Sequence, residues 1–446
     1  ANLATLGAIL LFGMTVTELR HTPAPPTGTP GEYEIVVRER LSEREGKTAS
    51  GTTIRARRNS ATGEWLPAAG NLVVRCDSST ALNPGDRAVV RGKIYPFTAR
   101  HGGYGRLMTR RGYVGTLYLN RSSLLLSDTL HRELSPKHLS LFLHERAVAR
   151  LDRLALAPDE QALCNAMTAG DRRSLSPALR AAYSRSGTSH LLAVSGLHVG
   201  IVFLLANLLL WWLPLFRHGH ILRNIAVILL IWLYAATTGF PPSVVRAALM
   251  FSVLQFALAS SSEYVGMNTL AGVAFVMLLF HPDYLFDISF QLSFIAVAGI
   301  IAWGLPLCRL LRTRRKSIDM LTATLAIGFS ASAATAPLIS HTFGQISVVG
   351  LALNPVVILL SYVVVGSCTL WLVIPGTALA PLFSVVAGFA ARAQNELIRA
   401  AAALPAAALD IRLTTTQCWS VYGLFIFATL LLWSAERKKS VSSLPE

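Results

Sequence analysis

"HLLAVSGLHVG", residues 190–200, stands at the head of a long apolar run. It puts two histidines and a serine where a membrane helix should begin. Polar side chains in hydrocarbon are costly unless they find partners. Three readings meet that cost: a catalytic Ser/His pair, a metal site, or the lining of a passage through the membrane. Read as a helix, Ser195 and His198 are three residues apart and within reach of one another. His190 then lies two turns earlier, roughly 80° round the helix. A nucleophilic Ser/His site needs an orienting third group, and no carboxylate lies within a turn of either residue. Two histidines at this spacing do not converge on one ion without distant ligands. Gly196 and Gly200 form a G-x-x-x-G that permits close helix contact. Packing inside a bundle and lining a wet passage both fit that pattern, and the residues alone leave the two open.

Composition sets the class. Of 446 residues, 52% are hydrophobic and only 14% charged, and mean hydropathy is +0.49; a soluble chain would carry about 25% charged residues. The expected fold class is a polytopic α-helical membrane protein with an N-terminal, extracytoplasmic small β-barrel of the OB type. Formal net charge is +16, which favours anionic partners such as phospholipid headgroups or nucleic acid. The five cysteines are scattered without a C-x-x-C pair, so no zinc or redox motif is present.

Residues 1–19 read as a transmembrane helix whose apolar run is short for a span, so the natural chain is expected to extend upstream. A cleaved signal peptide is the rival, but no A-x-A-like site follows. Residues 20–126 carry short alternating runs ("EYEIVVRER", "NLVVRC", "DRAVVRGKIY", "GYVGTLYL") separated by turn residues. This is the rhythm of a five-stranded barrel, with Gly92 expected at a bend or bulge. Residues 127–189 are mixed-charge and helical, a linker expected on the membrane surface or against the barrel.

The channel-like domain is placed at 190–435. Its spans are expected near 190–215, 221–238, 244–260, 264–280, 286–306, 319–338, 346–373, 377–393 and 419–433, with Pro355 breaking the seventh. Residues 436–446 form a basic tail. Lys and Arg concentrate at 217–224, 308–317 and 436–440, which marks those segments as cytoplasmic. Alternating the spans puts all three on one side and the β domain on the other.

The stretch "AMTAGDRRSLSPALRAAYSRSGTSHLLAVSGLHVGI" (166–201) resembles the signature of the ComEC family, the inner-membrane channel of bacterial DNA uptake. "TTGFPPSVVRAALM" (237–250), "HPDYLFDISFQLSFIAVAGI" (281–300) and "FGQISVVGLALNPVVILL" (343–360) resemble three further family motifs in order. The resemblance covers nearly the whole chain. It implies a multi-pass protein of the inner (plasma) membrane that passes single-stranded DNA during natural transformation. It implies membrane lipids, an extracytoplasmic DNA receptor and cytoplasmic motor or ssDNA-handling proteins as partners, with a homo-oligomer left open. No cofactor or metal is implied, and the chain is not expected to be an enzyme. Many members carry a metallo-β-lactamase-like domain, but H-x-H-x-D-H is not found here. Nor is G-x-x-x-x-G-K-[ST], so driving energy would come from partners or the proton gradient. The alternatives are a polytopic membrane enzyme acting through Ser195 and His198, and a small-anion carrier with the β domain as an assembly module.

Two sets of residues are candidates. Along the membrane path stand His190, Ser195, Gly196, His198, Gly200, Arg246, Asp287, Gln291 and Asn354. Arg246 follows the helix-interrupting Pro241 and Pro242 and is expected either to contact phosphate or to reach headgroups. Asp287 is expected to pair with Arg246, and Asn354 to cap a broken helix. In the β domain, Lys93, Tyr95, Arg106, Arg110, Arg111 and Tyr113 interleave cations with aromatic rings, which suits a single strand. The competing reading makes the aromatics barrel core. "GDRRS" (170–174) reads either as a guide for a strand or as an interfacial anchor.

Overall fold

The computed structural model describes residues 28, 30–44, 47–59, 62–77, 82, 85–97, 105, 108–109, 112–128, 136–260, 266–347, 349–374, 379–404 and 407–442. The helix expected over 1–19 lies outside these. The chain divides into two compact units, residues 1–145 with 277–286, and residues 146–276 with 287–446.

The first unit is built on β1 (Pro30–Arg44), β2 (Lys47–Arg58), β3 (Trp65–Asp77), β4 (Arg87–Pro96), β5 (Tyr113–Leu119) and β6 (Leu124–Asp128). The sheet runs β1-β2-β3-β5-β4 and closes through a β1–β4 pairing, with β6 beside β4. All pairings are antiparallel except β3–β5. This is a closed five-stranded barrel of OB type. Alternation dictates its interior: Tyr33, Ile35 and Val37 of β1, Leu72 and Val74 of β3, Ala88, Val90 and Ile94 of β4, and Leu117 and Leu119 of β5 all point inward and are buried. A second small cluster of Ala49, Val73, Met108 and Tyr113, with Phe97 against it, forms apart from that interior. The bulge expected at Gly92 is not there. Gly92 pairs in register with Gly31, and a Cβ on it would lie 3.1 Å from Leu117 Cδ1. Space, not bending, calls for glycine at this point.

The second unit is helical. Helix α1 (Pro136–Leu151) leads into it, followed by α2 (Pro158–Thr168), α3 (Pro177–Arg185), a 3₁₀ turn (Ser189–Leu192), α4 (Gly196–Leu209), α5 (Gly219–Thr237), α6 (Pro242–Ser260) and α7 (Gly266–Phe280). Helix α8 (Ile288–Gly299) continues through a π turn (Ile300–Gly304) into α9 (Leu305–Leu310). Then come α10 (Lys316–Phe343), β7 (Ile346–Ser347), α11 (Val349–Val373), α12 (Ala380–Ala402), β8 (Ala408–Leu409) and α13 (Thr415–Ser442).

Two cores organise these helices. One joins α2 and α3 to α11 and α12 through Leu163, Met167, Leu179, Val364, Ala391 and Ile398. The other joins α4, α5 and α6 through Val199, Val202, Val227, Ile231, Val244 and Ala248. Where these helices cross the membrane, close van der Waals packing rather than removal of apolar surface from water holds them together. The segment expected as a surface linker is therefore part of the bundle, since Ala162 to Ala169 are all buried.

Among the described residues five helical segments are long and apolar enough to cross a membrane: Gly196–Leu215, Gly219–Thr237, Ile288–Leu310, Ile318–Phe343 and Leu353–Val373. Pro242–Ala257 and Gly266–Phe280 are shorter apolar helices. The expected span at 377–393 falls on α12, which reaches Ala402. Its Gln394 donates to the Tyr183 hydroxyl (3.3 Å), which donates to Asn395 Oδ1 (3.1 Å), while Asn395 Nδ2 donates to the Asp159 carbonyl (3.2 Å). These polar bonds fasten α12 to α2 and α3. Pro355 does not break α11, which runs unbroken from Val349 to Val373. The expected basic tail begins as a continuation of α13, which ends at Ser442.

Candidate functional site

The helix expected from residue 190 starts at Gly196. The 3₁₀ turn at Ser189–Leu192 gives way to extended backbone at Ala193, and Ser195 occupies the N-cap of α4 with φ −118° and ψ 172°. His190 belongs to the turn and is exposed, so the helical-wheel relation drawn between His190 and His198 does not hold. The Ser195 amide donates to His198 Nδ1 at 3.2 Å. That acceptor role assigns the ring proton to Nε2. His198 is fully buried, and among the described residues neither its Nε2 nor the Ser195 hydroxyl has a hydrogen-bond partner. The nitrogen that would act as base toward the Ser195 hydroxyl is thus engaged with the amide instead.

Gly196 and Gly200 do face a neighbouring helix. A Cβ on Gly196 would lie 2.9 Å from Arg246 Nη2 and 3.6 Å from Ala247 Cβ, and one on Gly200 would lie 3.3 Å from Phe251 Cζ. Phe203 stacks on Phe251 with ring centroids 4.8 Å apart. Matching steps along both helices mean that α4 and α6 run parallel here. Helix α6 begins after an elbow at Gly239 (φ +83°) and Phe240 (φ +53°), and Pro242 opens it, a position where a missing N–H costs nothing. Ser243 Oγ donates to the Val194 carbonyl at 2.9 Å, tying this elbow to the one before α4.

Arg246 is 6% exposed. Its Nε and Nη1 have no partner among the described residues, and its guanidinium stands over the Phe294 ring at 5.8 Å from the centroid. The expected ion pair with Asp287 is not formed. Asp287 instead caps α8, its Oδ1 accepting from the amides of Ser289 (2.8 Å) and Phe290 (3.1 Å). Four residues on, Gln291 is half-buried in the first turns of α8. Asn354 is no cap: it sits inside α11, and its Oδ1 is buried without a partner.

The fourth motif joins the same end of the bundle. Gly187 (φ +73°) approaches so closely that a Cβ would fall 2.4 Å from Ser347 Cβ, and a Cβ on Gly350 would fall 2.9 Å from the Ser186 carbonyl oxygen. Ser347 Oγ donates to the Ala407 carbonyl (3.1 Å) and accepts from the Gly350 amide (3.2 Å). All four quoted stretches are thus linked along the chain that leads into α4: the second reaches Val194 and Gly196 through Ser243 and Arg246, the third reaches Arg246 through Phe294, and the fourth reaches Ser186 and Gly187 through Gly350 and Ser347. Sequence reading passed over Gly187, Ser243, Phe294 and Ser347. Only Gly187, in a "SGT" turn, carried a local signal. In "GDRRS", Arg173 forms a two-pronged ion pair with Asp171 (2.9 Å on each arm), while Arg172 is exposed.

On the barrel, Tyr95 and Tyr118 are exposed, their rings edge to face at 5.8 Å. Lys93 Nζ stands 5.7 Å from the Tyr95 centroid. Tyr113 is buried in the smaller cluster, so it is packing rather than a base platform. Arg106, Arg110 and Arg111 lie outside the described residues. On the same unit, Arg91 and Arg58 grip Glu32 (Arg91 Nε to Oε1 2.9 Å, Arg58 Nη1 to Oε2 3.0 Å). Those contacts, Arg91 first, hold its carboxyl below the usual value of 4.5. Among the described residues no cluster of His, Cys, Asp or Glu could hold a metal ion.

A family model described as "Competence protein" matches residues 167–438. ComE operon protein 3 of Bacillus subtilis (strain 168) is 33% identical over 204 residues, which are 45% of this chain and 24% of that protein. An uncharacterized protein of Aquifex aeolicus (strain VF5) is 29% identical over 201 residues, 45% of each chain. The matched stretches thus span less than half the length of either relative. No solved structure matches the chain.

Proposed function

We propose, on the premise that this chain belongs to the competence-protein family, that it forms the passage by which single-stranded DNA crosses the inner membrane in natural transformation. One observation carries the reading. The first three stretches join at the head of α4, around a buried cation whose Nε and Nη1 have no partner among the described residues, and the fourth packs on the Ser186–Gly187 turn that leads toward it. Ionisable groups inside a membrane are costly, and they recur where a substrate or ion path is lined. Interrupted helices expose backbone amides toward a polar substrate.

The barrel would receive the strand on the extracytoplasmic side. Tyr95 and Tyr118 supply exposed ring faces for bases, and Lys93 supplies a charge for the backbone. The Lys/Arg-rich loops would face the cytoplasm, where a motor or ssDNA-handling protein takes up the strand. A receptor would deliver DNA from outside. The chain acts in this reading as a transporter and not as an enzyme.

Uptake of fluorescently labelled DNA by a deletion strain carrying this chain or an empty vector tests the reading. Entry into the cytoplasm should require the chain, while DNA still gathers at the cell surface without it. Entry at the same rate in both strains sinks the proposal. Saturable uptake of a small anion, with DNA entry unaffected, would favour the carrier instead.

A further inference from the structure

The start of α4 concentrates positive charge that nothing in the described residues neutralises. A helix N-terminus carries the positive end of the backbone dipole and amides without intrahelical acceptors. Gly196 is the first residue of this fourteen-residue helix, and Arg246 Nη2 would stand 2.9 Å from a Cβ placed there. A guanidinium against a helix N-terminus is repelled, and Arg246 is also 94% buried with Nε and Nη1 unpartnered. The Phe294 ring beneath the guanidinium offsets only a small part of the desolvation. Asp287 of the third motif spends its carboxylate on capping α8.

We infer that the Arg246 guanidinium and the first-turn amides of α4 together bind one phosphate-type oxyanion. Gly196 is glycine because the ligand and the guanidinium need the volume a side chain would fill. A tetrahedral oxyanion presents several acceptor oxygens, so it can take N–H groups from the guanidinium and from the helix at once. This deepens the proposed function, on which the choice of a phosphodiester as natural ligand rests. A lipid phosphate has the same chemistry from a different source.

The test uses the full chain purified in dodecyl maltoside, which is uncharged and free of phosphate. Inorganic phosphate, dimethyl phosphate and, separately, phosphatidylglycerol are titrated at constant ionic strength set with chloride, and the melting temperature is read. The wild-type chain should melt higher as inorganic or dimethyl phosphate rises, and Arg246→Gln should weaken that response by about tenfold or more in concentration. Because the variant can misfold, ³¹P line broadening of dimethyl phosphate by the wild-type chain gives an independent readout. A response to phosphatidylglycerol alone supports the site and assigns it to a lipid headgroup. No response to any of the three beyond that of chloride, with no line broadening, overturns the inference. Binding of anion combined with normal DNA entry in Arg246→Gln cells, at normal membrane abundance, upholds the site but removes it from the DNA passage. Loss of anion binding with DNA entry still dependent on the chain leaves the passage and removes the site.

Discussion

Replacing Gly187 with alanine tests whether the fourth motif is locked to the first by direct backbone approach. At φ +73° a side chain costs about 1–3 kcal/mol in backbone strain alone. The added Cβ would also fall 2.4 Å from Ser347 Cβ and 2.7 Å from its Oγ, so Ser347 must move. Moving it endangers the bonds to the Ala407 carbonyl and from the Gly350 amide, each worth about 0.5–1.5 kcal/mol, and overpacking adds about 1–3 kcal/mol. The minimum total is about 3 kcal/mol. Gly239 supplies the control: its φ is +83°, yet no atom lies within 4 Å of a Cβ there, so Gly239→Ala should cost about 1–3 kcal/mol, the strain alone. Chemical unfolding of the purified chain, followed by tryptophan fluorescence, compares the two. Ser347→Gly combined with Gly187→Ala should show favourable coupling against the two single variants, since it removes the clashing atoms. Equal costs for Gly187→Ala and Gly239→Ala, within about 0.5 kcal/mol, would refute the close-approach argument.

Four further outcomes are expected. With Cys308 replaced by Ala, a cysteine probe at Thr62 should react with an impermeant reagent in intact cells and one at Thr313 should not; labelling of the second site overturns the orientation. Tyr95→Ala and Tyr118→Ala should each weaken single-stranded DNA binding by about 1–3 kcal/mol while leaving its salt slope unchanged, and Arg110→Glu with Arg111→Glu should flatten that slope; unchanged affinity in the tyrosine variants returns those rings to packing. Glu32 has a depressed folded pKa, so its contribution to barrel stability is present above the ordinary value of 4.5 and is lost as pH falls below it; Glu32→Gln should flatten the stability curve in that acid range, and an unaltered curve denies the Arg58 and Arg91 contacts any energetic role. Ser195→Ala should leave transformation frequency nearly intact, since the hydroxyl has no partner, whereas His198→Ala should be worse, as it removes a buried ring and the acceptor for the Ser195 amide. A Ser195→Ala loss as complete as a gene deletion, in a stably inserted chain, revives the enzyme reading.

The barrel was legible because its evidence is local. Tyr33, Ile35 and Val37 recur at the strand period, flanked by Glu32, Glu34 and Arg38, and that period assigns the inward face although Val36 between them is apolar and buried too. Gly92 misled because glycine in a strand signals either a bend or a close contact, and only the position of Leu117 on the neighbouring strand β5 separates the two. The start of α4 was misplaced by six residues because Leu191, Leu192 and Val194 continue the apolar run, while the capping role of Ser195 depends on its backbone angles. The Arg246–Asp287 pairing failed for a physical reason available in hindsight: an aspartate directly before a helix finds two amides nearer than any distant cation. Phe294 and Ser347 were beyond reach, since their roles come from contacts across more than forty residues that no local pattern encodes.

Strand β1 has a consequence for how the chain is made. Its opening half pairs with β4, Pro30 opposite Lys93 and Val36 opposite Arg87, so during synthesis it is among the first strands to emerge and waits long for its second neighbour. Until β4 arrives, one edge of a strand bearing Tyr33, Ile35 and Val37 is open to pairing with any other nascent chain. The half that waits for β4 carries Glu32 and Glu34, and charges along an unpaired edge discourage association between copies. The sequence that reads as an amphipathic strand in the finished barrel thus also keeps unfinished copies apart while the ring is open.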